Sequence, residues 1–462
     1  MSPALPADDL DSHAWPAFSS GQPALLRSVT LQLDAAQWLP AEEVRQLQRL
    51  QLARLVDFAW RQVPYYREVW RAAGLDPDSM RFSDGWSRVP VLTRQQVQEL
   101  GDQLACQTPP SAHGKVSLVR TSGSTGRPVT VAKTALAHMI WRAVALRDHA
   151  WHRRDFSSTM ATIRVAAHGP APYPQGRRAA DWGIPAALLY RTGASALLDV
   201  TTPVDQQLEW LCRQDPGYLL TYPSNALALA RLAWRNGVRL PRLRQVRTIG
   251  ESAPEGLRAA IGEAWNVEVA DIYSTQEVGY IAIQCPDNPD VLHVQDETLL
   301  VEVLDEENRP CAAGGSGRVV VTPLLNFAMP LIRYEVGDYA VVGEPCPCGR
   351  GLGVLAEVLG RVRNMLRLPN GGQAWPRFGS TRFSEIAPIT QYQFVQTALD
   401  RLVARVASSR PLTEDETLRL VSVVRDSIGH PFAIRVEPVT EIPRSASGKF
   451  EEFLCAIDDA SA

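Results

Sequence analysis

The chain has 462 residues, 45% of them hydrophobic, and sets Lys+Arg 47 against Asp+Glu 50 for a formal net charge of -3. At about 100 to 200 residues per domain this is material for two to four domains with a real core. A near-neutral balance without a long basic run removes the electrostatic reason to expect a nucleic-acid or membrane-surface partner, so small-molecule chemistry is the expectation. No run approaches the roughly 20 apolar residues that span a bilayer, and acids in MSPALPADDLDSHAWP stand where a secretory leader carries lysines, which points to the cytoplasm. The cysteines, Cys106, Cys212, Cys285, Cys311, Cys346, Cys348 and Cys455, are few and odd in number, which argues for reduced thiols or metal ligands over a disulfide framework. Lysine occurs only at 115, 133 and 449, in a chain whose other basic residues are arginine, so each lysine invites a question.

In chain order, residues 1–25 are rich in Pro, Ala, Ser and Asp and read as poorly ordered, after which apolar residues at helical spacing through LPAEEVRQLQRLQLARLVDFAWRQVPYYREVWRAAG predict one or two amphipathic helices. From about 115 to 305, short apolar runs (VSLVRT, YLLTY, VRTIGE, VEVADIYS, LLVEVLD) alternate with helical segments such as NALALARLAWRNG, the rhythm of an α/β domain. From about 299 to 365, LLVEVLD, GRVVVTPL and DYAVVGE lie close together between turn signals and predict a small, more antiparallel, β-rich subdomain. The turn-rich LPNGGQAWPRFG leads into a smaller C-terminal α+β segment. The expected division is an N-terminal domain over 1–360, a hinge at 361–365 and a C-terminal domain over 366–462.

Arg120 to Pro128 reads RTSGSTGRP, directly after the strand-like VSLV. Glycines let the backbone approach an anion, successive N–H groups form a concave nest, and hydroxyls add donors to phosphate oxygens. The stretch is not a Walker loop, since no lysine follows its second glycine. Taken alone, a Ser/Thr/Gly cluster is more often a plain surface loop.

With DIYSTQEVG (271–279), RYEVGDY (333–339), GRVRNM (360–365) and PRSASGK (443–449), this loop resembles the adenylate-forming superfamily of acyl-CoA ligases and adenylation domains. VPYYREVWRAAG (63–74), TYPSNAL (221–227) and CPCGRG (346–351) are closest to its phenylacetate-CoA ligase branch. The resemblance covers nearly the whole chain after residue 45. It implies that Thr121, Ser122, Gly123, Ser124, Thr125 and Gly126 cradle the β- and γ-phosphates of ATP, that Glu277 holds Mg2+, that Gln276 precedes it on the phosphate side, and that Tyr273 lies near the adenine. It further implies that Asp338 takes the ribose hydroxyls with Arg361 beside it, and that Gly250 and Glu251 line the adenine and acyl pocket. Lys449, by the same likeness, swings onto the acyl carboxylate and α-phosphate, where a preorganised charge stabilises the transition state. The sequence departs from the family's pattern at Gln276, where Thr or Ser is usual, and at the hinge residue Asn364, where Asp is common.

Cys346 and Cys348, with Cys285 and His293 some fifty residues earlier, offer a Cys3His set suited to structural zinc, while free buried thiols are the alternative. The phenylacetate ligase branch has a similar arrangement. The acyl pocket is expected between the 165–190 and 220–285 regions, with Trp182, Tyr222, Tyr280 and Ile281 as candidate walls. The implied reaction activates an aromatic or heteroaromatic carboxylic acid as acyl-AMP and passes it to coenzyme A. Its rivals are transfer to an acyl carrier protein or an amine in specialised metabolism, and a non-catalytic nucleotide or acyl binder. Retention of both Glu277 and Lys449 argues against the binder, because a charge acting only on the transition state serves no purpose there.

Overall fold

The computed structural model describes residues 20–81, 83–121, 128–166, 169–361, 364–445 and 448–457. Its first helix, Gly21–Ala36, starts inside the stretch expected to be poorly ordered. The helix Ala41–Gln62 places Glu42 and Glu43 in its first turn and Arg61 in its last, matching the ends of the helix dipole. Pro64 opens the next helix, Pro64–Ala72, where a missing N–H costs nothing. Tyr66 and Trp70 from that helix are buried against the sheet, and the Tyr66 hydroxyl donates to the Pro330 carbonyl at 2.6 Å.

One twelve-stranded sheet forms the body of the molecule. Five strands, 195–199, 160–164, 218–221, 245–249 and 268–275, lie side by side in parallel. Buried on both faces, they read as short apolar runs rather than as alternation. Helices Val204–Gln214, Pro223–Arg235 and Leu257–Trp265 cover one face through a core that includes Leu219, Val246, Leu211, Ala230 and Ile261. The helix Ala135–Trp151, capped by the Thr134 hydroxyl, packs with Leu26, Leu33 and Ile283 in a separate cluster. The antiparallel stretch expected after residue 299 forms as strands 299–304, 316–323, 334–342 and 354–361. It joins the parallel strands through 292–294 and 279–284, so it is a wing of the same sheet.

VSLVR does not enter that sheet. Residues 116–120 pair with 130–134 in a two-stranded hairpin, so the Ser/Thr/Gly loop joins antiparallel strands rather than a strand to a helix. At the far end of the chain, a four-stranded sheet and the helix Glu414–Ile428 enclose a core of Phe378, Phe383, Phe394, Leu420, Val424 and Phe432. That helix begins with a reciprocal capping box between Thr413 and Glu416. Among the described residues no helix is long and apolar enough to cross a membrane.

Candidate active site

The first polar residues beyond the parallel strands face one cavity of about 1710 Å3: Gly250 and Glu251 after 245–249, Gln276 and Glu277 after 268–275. Open α/β sheets bind ligands at this edge, where strand ends diverge and turns expose backbone groups. Of the phosphate-loop candidates, Thr121 lines the cavity, while Ser122, Gly123, Ser124, Thr125 and Gly126 lie outside the described residues.

Glu277 is buried, and its carboxylate accepts from Arg94 Nη1 at 2.6 Å and from the Tyr334 hydroxyl at 3.4 Å. Arg94 opens a short helix whose Thr93–Gln96 capping box fixes its direction, and its second terminal nitrogen reaches Thr121 Oγ1 at 3.4 Å. Beside it, Lys133 Nζ donates to the Gln276 carbonyl at 2.9 Å. Burial lowers that ammonium to about 8, against the pull of Glu277. Neither Arg94 nor Lys133 belongs to a motif in the sequence; only the scarcity of lysine marked the second. The Gln276 side chain is exposed on the cavity rim.

Asp338 and Arg361 are paired across neighbouring strands, and the Arg361 Nε reaches Asp338 Oδ1 at 3.3 Å. The other oxygen accepts from the Tyr273 hydroxyl at 2.9 Å, and burial with that carboxylate holds the phenol well above its usual range. Asn364 also lines the cavity, with a buried side-chain oxygen that has no partner among the described residues.

Lys449 reaches this cavity from the C-terminal segment. Contacts that seat its loop include Phe450 N donating to Glu251 Oε1 at 2.7 Å, Arg444 Nη1 donating to Ser224 Oγ at 3.0 Å and Arg444 Nη2 reaching Asn225 Oδ1 at 3.3 Å. Glu251, expected to line the adenine and acyl pocket, lines the cavity and spends its carboxylate on this loop, accepting from Ser224 N as well at 3.0 Å. Burial, then the nearby Arg361 charge, lowers the Lys449 ammonium.

Trp182, Tyr222 and Tyr280 line the cavity as expected of acyl-pocket walls. Ile281 does not: it is fully buried in the core beneath. Successive side chains on the strand Gly279–Gln284 face opposite ways, so Tyr280 and Ile281 cannot share the pocket. Sequence reasoning missed His149, Arg164 and Arg247, which also line the cavity.

Away from the cavity, Cys285, His293, Cys346 and Cys348 present ligand atoms all within 4.8 Å of one another. Cys346 Sγ lies 3.9 Å from Cys285 Sγ, and His293 Nε2 lies 3.2 Å from Cys348 Sγ. Burial lowers the imidazole to about 4, leaving it neutral as a ligand must be, and Arg350 packs beside the set with Nη1 4.0 Å from Cys285 Sγ.

No protein-family model matches the chain. It is 26% identical over 451 residues to a phenylacetate-coenzyme A ligase of Thermus thermophilus, covering 90% of this chain and 97% of that protein. A phenylacetate-coenzyme A ligase of Escherichia coli is 25% identical over 434 residues, 89% of this chain and 95% of its own. Among solved structures, 2-hydroxyisobutyryl-CoA ligase in its postadenylation state superposes with a TM-score of 0.72 at 21% identity, over 92% of both chains. The same enzyme in its thioesterification state gives 0.58 at 21% identity, over 91% of both. The chain therefore has the adenylate-forming fold. Over nearly its whole length it is similar to the phenylacetate-coenzyme A ligases named above.

Proposed function

We propose that this protein is an AMP-forming aryl-CoA ligase. The observation that carries the reading is the convergence of Lys449, Glu277, Asp338 and Arg361 on one cavity at the ends of the parallel strands, with Lys449 delivered by the C-terminal segment. In the first step an oxygen of the acid's carboxylate attacks the α-phosphorus of ATP, the bond to the bridging oxygen breaks, and pyrophosphate leaves. Lys449 places a positive charge where the carboxylate and α-phosphate meet, and so stabilises charge that develops in the transition state. Asp338 accepts from the ribose hydroxyls, Tyr273 borders the adenine, and Thr121 with the loop 122–126 takes the terminal phosphates. Arg94 and Lys133 add positive charge on the pyrophosphate side. Glu277 is the carboxylate that would hold Mg2+, a hard cation that prefers oxygen ligands and would offset the phosphate charge.

In the second step the coenzyme A thiolate attacks the acyl carbon and AMP leaves. Lys449 has no part in that step, so the C-terminal domain, residues 366–462, turns about the hinge at 361–365 and withdraws it. The better superposition on the postadenylation state supports reading the present arrangement as the adenylating one. The Cys285, His293, Cys346 and Cys348 set fits zinc by donor type and closeness, in a structural role that ties the 285–293 segment to the 346–348 turn.

The test is pyrophosphate release from MgATP across aromatic, heteroaromatic and aliphatic acids, with and without coenzyme A, followed by mass spectrometry of the products. An acid-dependent signal with its CoA thioester is expected. Release that ignores coenzyme A moves the acceptor to a carrier protein or an amine, and no release with any acid refutes the ligase reading.

A further inference from the structure

The strand 245–249 lies inside the parallel sheet, between 218–221 and 268–275, where side chains are normally aliphatic, yet Arg247 stands in its middle with 5% exposure. Its Nη2 reaches Asp148 Oδ2 at 2.5 Å. Asp148 needs no second arginine. Arg154 already donates to Asp148 Oδ2 at 2.8 Å and Oδ1 at 3.2 Å, from a position equally buried. Two guanidiniums thus face one carboxylate, an excess of one positive charge in the interior.

The surrounding groups do not cancel it. His149 Nδ1 lies 3.3 Å from Arg154 Nη1. A guanidinium only donates, so this nitrogen must accept, which leaves the ring neutral with its proton on Nε2. Burial, reinforced by Arg247 and Arg154, holds His149 in that neutral form. His152 is held neutral by burial as well, near 4. Tyr280, half-buried and close enough to feel the Arg247 charge, keeps its phenol proton because loss of water raises its pKa. Arg247 and His149 both line the cavity, and Arg247 Nε has no hydrogen-bond partner among the described residues. An interior cation with an unused donor is costly unless something binds it, so a merely structural role for this second arginine is the weaker account.

Apolar and aromatic side chains also line the cavity, Trp141, Val144, Met160 and Trp182 among them, alongside the charged Arg164, Arg258 and Asp271. Along the strand, Arg247 sits three residues, roughly 10 Å at strand rise, before Gly250. Lys449 Cε lies 3.5 Å from where a Cβ on Gly250 would stand, which fixes the reacting end of the pocket. One aromatic ring with a group at each end fills such a span.

We propose that the acid activated here is an aromatic acid carrying, at the end away from the reacting carboxylate, an anionic or hydrogen-bond-accepting oxygen that docks on Arg247 and His149. The inference rests on the ligase reading for which end of the pocket reacts, and on the geometry alone for the docking site. Arg247 is then a specificity-determining residue that reads the far end of the substrate. Removing it leaves Asp148 paired to Arg154, so the fold survives.

The experiment measures binding of benzene-1,4-dicarboxylate, 4-hydroxybenzoate and 4-methylbenzoate to the full chain by calorimetry without ATP, for the wild type, Arg247→Met and Arg247→Lys. Melting curves accompany each variant. Hydrogen bonds to a charged group predict that at least one oxygen-bearing acid binds about 10- to 100-fold more tightly than the methyl analogue. Arg247→Met is expected to remove that ratio and Arg247→Lys to retain part of it. Equal binding of the three acids by the wild type, binding of none, or an unchanged ratio in Arg247→Met overturns the proposal. Pyrophosphate release with the same acids separates it from the ligase reading. Release that favours 4-methylbenzoate sinks the docking site alone, whereas a preserved binding ratio with no release sinks adenylation alone.

Discussion

Gly448 offers the sharpest test of the idea that Lys449 acts only in one position of the C-terminal segment. Its φ is +76°, and a Cβ there would stand 2.5 Å from Val165 Cγ2, 2.9 Å from Val200 Cγ1 and 3.2 Å from Tyr222 Cε2. Val200 and Tyr222 are buried and cannot retreat; Val165 is partly exposed and gives more easily. Gly448→Ala therefore carries two costs. The left-handed backbone costs an L-residue about 1–2 kcal/mol, but that strain belongs to the loop and travels with it in either position. The overpacking, about 1–3 kcal/mol, exists only while the loop is seated on Val165, Val200 and Tyr222. At about 1.4 kcal/mol per factor of ten, adenylation should slow by about 5- to 150-fold. Thioester formation from supplied acyl-AMP and coenzyme A, which needs the loop withdrawn, should keep its rate. The two half-reactions are assayed separately, by pyrophosphate release with a hydroxylamine trap and by CoA thioester formation. Equal slowing of both, or adenylation at the wild-type rate, refutes the reasoning.

Lys449→Ala should lower adenylation by about 100- to 1000-fold, the scale of removing one preorganised transition-state donor, while leaving ATP affinity from equilibrium binding nearly unchanged. Lys133 loses its charge as pH rises through about 8, so kcat/KM for ATP should fall above that pH, and Lys133→Arg should flatten the alkaline limb. Asp296 is raised to about 7 by burial, so between 3.8 and 7 the folded chain binds more protons than the unfolded one and stability falls as pH rises. Asp296→Asn should therefore raise the melting temperature more at pH 8 than at pH 5, read by calorimetry. Metal analysis should find zinc in the wild type and none in Cys346→Ser, and chelation should lower the melting temperature of the wild type only.

The sequence announced the parts of the site whose chemistry demands unusual residues close together, and hid the parts assembled from distant segments. Asp338 and Glu277 stood out through RYEVGDY and DIYSTQEVG, the stretches that carry the family resemblance, and Lys449 through PRSASGK and because lysine is scarce. Arg94 is 183 positions from the carboxylate it meets, so no local pattern points to it. Helix and strand rhythm predicted the layers, yet not that the antiparallel stretch after residue 299 continues the main sheet, since register and neighbour order leave no periodic trace. Ile281 shows the same limit at one residue: an apolar side chain beside Tyr280 is as plausible a wall as a core residue until the strand's facing is known.

Arg247 marks where a closer reading of the sequence had a signal to find. In VRTIGE a full charge interrupts a run whose other members suit a strand buried on both faces. A buried charge must be neutralised, hydrogen-bonded or put to use, and the neutralising partner is already taken by Arg154. A second carboxylate or an anion supplied from outside would offset the remaining charge, and among the described residues the one ion pair given for Arg247 is with Asp148. The same bookkeeping separates this arginine from Arg333, which is as deeply buried but is answered by Glu302 and by the carbonyls of Ser87 and Val89. One buried arginine holds the fold together; the other lines an open cavity and, on the proposal above, keeps charge to spare for what the cavity takes in.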